Sequence, residues 1–308
     1  MNMHLTTAKV GGGSLKTADS IKRLVNLILE EEYNILIASA FSGMTNILED
    51  IVRSRQSENF SKLFMSFHKG LAKSLRLKEI DVFFGEQSIR FDLEFARLMA
   101  TEKNSFEESR SMAEIISMGE DFAQRIIYEF ARPKLASTLT TLELVDSRGV
   151  VVTKAGNYLN ARFDQKETTE RVLEVFTTDS YVYIMQGFVA GTKAKNGETE
   201  TVLLGREGSD VTAALICACL RNLPKPRSTS LVYLKTFGDD SLHGEIGIGK
   251  LFRYMKKTGR TVVSTNILKV KNLAEYFAVV DFHNPAKHLI VSADPLVVKR
   301  LLGNLPVD

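Results

Sequence analysis

LTTAKVGGGSLKTADSIKRLVNLILEEEYNILIASAFSGMTNIL, residues Leu5 to Leu48, decides how the chain begins to fold. The first six residues, LTTAKV, are short and extended, and three glycines follow them. Ser14 is placed to cap a helix in which Ile21, Leu24, Val25, Ile28 and Leu29 recur at three-and-four spacing, the signature of one buried face. NILIASA, Asn34 to Ala40, is a continuous apolar run of strand length, the pattern of a parallel strand covered on both sides. The polar loop FSGMTN then leads into a further helix from Ile47. Strand, helix, strand, loop and helix in this order predict an α/β domain built on a parallel sheet.

Downstream, residues 61–131 read as helical and charged. Strands resume at LELVDS (Leu142 to Ser147), YVYIMQGF (Tyr181 to Phe188) and TVLLG (Thr201 to Gly205), with a polar hairpin tip between the last two. A helix from Val211 to Leu220 follows, and Pro224, Lys225, Pro226 and Arg227 then read as a linker. Beyond it SLVYLKTFG, IGKLFRYMKKTG, TVVSTNILKV, YFAVVDF, KHLIVSA and DPLVVKRLLGNL alternate strand and helix in a ferredoxin-like order. The expected division is therefore 1–222, a linker at 223–229, and a small unit at 230–308.

With 308 residues, 44% hydrophobic and 25% charged, the composition is that of a globular protein with a sizeable core. A net charge of +3, with acidic and basic residues intermixed, gives no basic stripe for nucleic acid. The apolar stretch Leu24 to Phe41 is broken by Glu30, Glu31 and Glu32 and is too polar to span a bilayer. The N-terminal residues lack the apolar segment of a secretory signal, so a cytoplasmic location is expected. Cys217 and Cys219 point about 200° apart on a helix, which favours core packing over metal or redox work. The five histidines show no ligand spacing, and no metal site is expected.

Several short stretches have the chemistry of a binding site. Gly11, Gly12 and Gly13 let backbone N–H groups come close to an anion, and Lys9 puts a point charge at the same place; a plain strand-to-helix turn uses the same residues. Ser39, Thr45 and Asn46 leave the second strand at the edge where open parallel sheets bind ligands, although Thr45 or Asn46 also serves as a helix cap. Glu120 follows Gly119 in a helical run, where a solvated face is the plainer reading. Arg206 suits a bidentate grip on a carboxylate, beside Ser209. Asp210 either caps a helix or holds a lysine or an ammonium group.

Taken in order, KVGGGSL, ASAFSGMTNIL, MGE, VDSR, QGFVAGT and LLGREGSDVTAA make the first 220 residues resemble the aspartate kinases of the amino-acid kinase family. The tail, from SLHGEIGIGKLFRYMKKTGRTVVSTN onward, is similar to the ACT module that these kinases carry. The resemblance implies ATP-dependent phosphorylation of the aspartate side chain, with Mg-ATP as cosubstrate and a homodimer formed through the ACT-like part, or completion by a partner subunit. It implies that Lys9 and Asp210 are catalytic and that Gly11, Gly12 and Gly13 meet phosphate. Ser39, Thr45, Glu120, Arg206 and Ser209 would bind the amino acid. Two departures stand out: Glu207 occupies a position where the family has glycine, and the segments that hold adenine, ribose and phosphates do not occur after the GSD helix. A non-catalytic relative that binds an amino acid but no ATP, or one that uses the pocket for another reaction, is the alternative.

Overall fold

The computed structural model describes residues 4–31, 33–138, 140–194, 196–206, 208–221, 228–235, 276–281 and 288–292. Its spine is a sheet begun by β1 (His4–Val10) and β2 (Ile35–Ala38), joined by α1 (Ala18–Glu30). Thr17 and Ser20 close the start of α1 with a reciprocal capping box, so Thr17 rather than Ser14 is the cap and the helix begins at Ala18. Ile21, Leu24, Val25 and Ile28 are buried, as their spacing predicts. All four residues of β2 are buried, which fits a strand covered on both faces.

Gly43, at φ +80°, turns the chain into α2 (Met44–Ser54). A π-helical turn, Phe60–Met65, and α3 (Ser66–Ser74) come next, followed by α4 (Asp81–Ala100) and α5 (Phe106–Leu135). Residues 115–124 of α5 are buried without a break. A helix buried all round lies at the centre of its fold, and α5 packs against β2, α1, α2 and α4. It also covers β3 (Thr141–Val145) and β4 (Tyr181–Gln186). Between these strands lies α6 (Gln165–Val175), capped by Asp164; only Thr168 and Val172 are fully covered, so its sequence carries little helical patterning.

After β4 the chain forms an antiparallel ribbon, β5 (Val189–Lys193) with β6 (Thr199–Leu203), outside the main sheet. α7 (Gly208–Arg221) then packs on β1 and β2, with Cys217 and Cys219 both buried in it. Three more strands follow: β7 (Ser228–Lys235), β8 (Tyr276–Asp281) and β9 (His288–Ser292). The sheet order is β3-β4-β2-β1-β7-β8-β9. All neighbours run parallel except β8 and β9.

Part of the expected ACT-like unit joins this sheet. SLVYLKTFG was expected to open a separate ACT-like unit; instead Ser228–Lys235 runs parallel to β1 along seven paired positions, from His4 opposite Ser228 to Val10 opposite Leu234. β8 and β9 extend the same sheet, so residue 222 marks no end of it. An apolar run of eight residues reads alike whichever sheet receives it, and only the long-range pairing decides. The remainder of the expected linker and of the ACT-like unit lies outside the described residues.

Candidate functional site

β1 lies where the strand order reverses: β2, β4 and β3 extend to one side and β7, β8 and β9 to the other. In open α/β sheets the carboxyl ends of strands at such a switch point form a crevice. Here the crevice is a cleft of about 1550 Å3 that contains every site residue singled out in the sequence. Pockets that hold one small ligand measure roughly 300–1,000 Å3, so this cleft is larger than a single small ligand requires.

Lys9, next to last in β1, is only 6% exposed. Its Nζ lies 2.6 Å from Oδ1 of Asp210, in the first turn of α7. Tyr233 stands opposite Lys9 in the β1–β7 register, and its hydroxyl donates to the backbone carbonyl of Asp210 at 3.0 Å. β7 thus braces the turn that presents Asp210 to Lys9. Burial, with the charge of Asp210, pushes the Tyr233 phenol well above its ordinary range, so it remains a donor.

Gly11 leads into a 3-10 turn, Gly12–Ser14, whose first N–H groups have no acceptor inside the turn. A Cβ on Gly12 would sit 2.6 Å from the carbonyl oxygen of Ala40, so the loop after β1 and the loop after β2 touch backbone to backbone. The Ser42 N–H donating to the carbonyl of Leu15 at 3.1 Å ties the two loops further. Gly13 has nothing within 4 Å of the place its Cβ would occupy.

From the other side α5 brings Gly119 against Ala40, where a Cβ would be 3.0 Å from the alanine methyl. That closeness lets Glu120 Oε1 accept the Ala40 N–H at 3.2 Å. Oε2 of Glu120 is buried and has no hydrogen-bond partner among the described residues. Burial raises the Glu120 carboxyl to about 8, Asp121 adding to the rise while the Ala40 N–H and Lys9 oppose it. A buried, half-satisfied carboxylate beside a cleft is suited to receive a cation.

Its neighbour Asp121 has the opposite surroundings. Burial alone would raise it, but Arg148 and Arg90 hold its carboxyl well below the usual range. Oδ2 of Asp121 lies 2.9 Å from Arg148 and 2.7 Å from Arg90, and Gln186 donates to Oδ1 at 2.9 Å. Gln186 also accepts the Ser147 N–H at 2.9 Å. The VDSR and QGF stretches thus serve largely to anchor α5 to β3 and β4. Gly187 completes the wall, because a Cβ there would lie 2.5 Å from Cβ of the buried Ser209.

Ser39 and Thr45 are half-buried along the cleft. Arg206 is exposed at its wall, with no carboxylate within 4 Å among the described residues. Glu207 lies outside the described residues. No sequence motif marks the far wall, where Arg55 pairs with Glu108 at 2.8 Å beside Lys103 and Asn104. Asp121 and Tyr233 likewise lie in no motif read from the sequence. Among the described residues no group of three or more His, Cys, Asp or Glu side chains is placed to hold a metal ion, and no helix is long and apolar enough to cross a membrane.

The family model for the Amino acid kinase family matches residues 5–222. The chain belongs to the amino acid kinase family. Within it, the chain is aspartokinase-like: the aspartokinase of Chlamydia muridarum is 29% identical over 211 residues, 68% of this chain and 44% of that protein. The aspartokinase of Chlamydia trachomatis is 28% identical over 212 residues, again 68% and 44%. The chain therefore spans less than half the length of these relatives. Among solved structures, E. coli aspartokinase III in complex with aspartate and ADP superimposes with a TM-score of 0.70 at 17% identity, over 94% of this chain and 65% of that one. The aspartate kinase of Clostridium acetobutylicum gives 0.67 at 15% identity, over 95% and 63%. At these identities the likeness is one of fold: a parallel-sheet amino-acid-kinase domain.

Proposed function

We propose that this amino-acid-kinase domain transfers the γ-phosphoryl group of ATP to the side-chain carboxylate of aspartate, giving an acyl phosphate and ADP. The observation that carries the reading is the buried Lys9–Asp210 pair at the switch point of the sheet, facing a cleft large enough for both substrates. Phosphoryl transfer asks the protein for positioning and charge rather than for a nucleophile of its own. A carboxylate oxygen of the substrate attacks the γ-phosphorus as its bond to the β,γ-bridging oxygen breaks, and the electron pair leaves with ADP. Lys9 meets the charge on the transferring oxygens, and Asp210 fixes the direction of its ammonium group. The N–H groups of Gly11, Gly12 and Gly13 receive phosphate oxygens. Mg2+ entering with the nucleotide supplies further charge neutralisation.

The amino acid is held by opposite charges at its two ends. Glu120 takes the substrate ammonium on its unoccupied oxygen, Arg206 takes the α-carboxylate, and Ser39, Thr45 and Ser209 supply neutral hydrogen bonds.

A second reading, a non-catalytic relative that binds the amino acid alone, draws on the segments for adenine, ribose and phosphates that do not follow the GSD helix. Titration calorimetry with a non-hydrolysable Mg-ATP analogue separates the two. Micromolar binding that weakens in Lys9→Met supports the kinase. Binding of aspartate with no nucleotide binding at millimolar concentration supports the second reading.

A further inference from the structure

α7 opens with Gly208, Ser209 and Asp210, and a different contact holds each of the three. Thr212 Oγ1 donates to the Gly208 carbonyl at 2.9 Å and accepts the Phe188 N–H at 3.2 Å, which ties Gly208 to the corner between β4 and β5. Ser209 fills the space that Gly187 leaves open. Asp210 is held by β7, through the 3.0 Å bond from the Tyr233 hydroxyl to its backbone carbonyl. β7 packs against β1, against α7 and against the Gly12–Ser14 turn, so it borders the elements that carry Lys9, Asp210 and the glycines.

The Tyr233 hydroxyl stands in an apolar stretch. Leu231, Val232 and Leu234 are buried on either side of it in the strand, and Tyr233 itself is 0% exposed. Phenylalanine would fill nearly the same volume, whereas a buried hydroxyl costs free energy unless it is hydrogen-bonded. The bond it makes ends on the residue that pairs with Lys9. A carbonyl inside a helix receives the N–H one turn on, and its second lone pair can take a further donor. Tyr233 is that donor, and its bond resists the shift of the first turn that would carry the Asp210 carboxylate off Lys9.

We propose that Tyr233 is a positioning residue, which holds the first turn of α7 so that the Asp210 carboxylate stays on the Lys9 ammonium group. The site is then completed by a strand from the segment whose sequence reads as a separate unit. The effect on turnover rests on the kinase reading above; the hold on the Lys9–Asp210 pair does not.

Tyr233→Phe removes the hydroxyl and keeps the ring, and circular dichroism verifies that the full chain is folded. Brief acetylation with acetic anhydride, with Lys9 and the exposed Lys22 quantified by mass spectrometry, reads the pair without any catalysis. The ratio of Lys9 to Lys22 labelling should rise at least threefold in Tyr233→Phe and at least as far in Asp210→Asn. It should rise no further when the two are combined, because the hydroxyl acts through that carboxylate. In hydroxamate assays Tyr233→Phe should lower kcat about tenfold, a fraction of an ångström of misplacement being enough, and leave KM for aspartate within twofold. An unchanged labelling ratio in Tyr233→Phe overturns the proposal. So does a ratio that Tyr233→Phe raises by the same factor in the Asp210→Asn background, since the hydroxyl would then merely tighten the sheet. An undiminished kcat beside an active parent overturns it as well. A parent that forms no hydroxamate refutes the kinase reading instead, and the labelling then decides the role of Tyr233 by itself.

Discussion

Replacing Lys9 by Met removes one half of an ion pair that water scarcely reaches: the two side chains are 8% and 7% exposed, with 2.6 Å between Nζ and Oδ1. Coulomb's law at an effective dielectric constant of about 20 gives about 6 kcal/mol of attraction at that distance. Desolvation offsets much of this in the intact pair. It is not offset once one partner has gone, because the remaining charge is still buried and has lost the opposite charge 2.6 Å away. Lys9→Met and Asp210→Leu should each destabilise the fold by about 3–5 kcal/mol, while the double variant should cost no more than the worse single one. The chain has no tryptophan, so chemical denaturation is followed by far-ultraviolet circular dichroism. The same three proteins separate stability from chemistry, since restored stability in the double variant should bring back no phosphoryl transfer. Two single costs that simply add, to within about 0.5 kcal/mol, would refute the coupling. Single costs below about 1 kcal/mol would show that the pair is not held as described.

Four further outcomes follow from the same geometry. Gly187→Ala pushes a methyl into Ser209 and Gly12→Ala pushes one into the Ala40 carbonyl, so each should lower turnover about 100-fold by displacing site loops on the order of 1 Å; Gly13→Ala, with open space around it, should leave turnover near that of the parent. Glu120, raised to about 8, is mostly protonated at pH 7, and receiving an ammonium ion should expel its proton. Calorimetric titration with aspartate in buffers of different ionisation enthalpy should show release approaching one proton, absent in Glu120→Gln. Since the folded value lies above the ordinary 4.5, the stability that protonated Glu120 contributes is complete below 4.5 and is lost as pH rises through about 8; Glu120→Gln should flatten denaturation profiles across that window. His68 is buried among Phe41, Phe64, Phe67 and Phe122, which lowers it to about 3 even though its Nδ1 bonds the Phe64 carbonyl. Its contribution is present above 6.5 and disappears as pH falls toward 3. His68→Phe should therefore reduce the acid slope of stability by about 1.4 kcal/mol per pH unit at most, and an unchanged slope would mean that His68 is not buried as described.

The parts of the fold that were legible in the sequence are those fixed by local patterning. The face of α1, the buried run of β2 and the glycine turn between them are written in three-and-four spacing and in an unbroken apolar segment. The site was legible for a related reason. Lys9, the glycines, Ser39 and Asp210 stand where strands end or helices begin, the places where a parallel sheet exposes backbone donors to a ligand. What was hidden depends on distance along the chain. The place of β7 in the main sheet was hidden because SLVYLK suits either of two sheets, and only its pairing with residues more than 200 positions earlier selects one. Asp121 differs from Glu120 through Arg90 and Arg148, which arrive from elements some 30 residues away on either side. Tyr233 gave no signal at all, since its bond to the Asp210 carbonyl exists only once β7 lies beside β1. α6 escaped because just two of its residues are fully buried.

The most direct test of the proposed kinase is hydroxamate trapping of an acyl phosphate from aspartate and Mg-ATP, with the γ-phosphoryl label followed in parallel. The account predicts hydroxamate that requires both substrates, forms in proportion to ADP, and is lost in Lys9→Met. ADP formation without hydroxamate, no reaction with nucleotide bound, or undiminished product in Lys9→Met would contradict it.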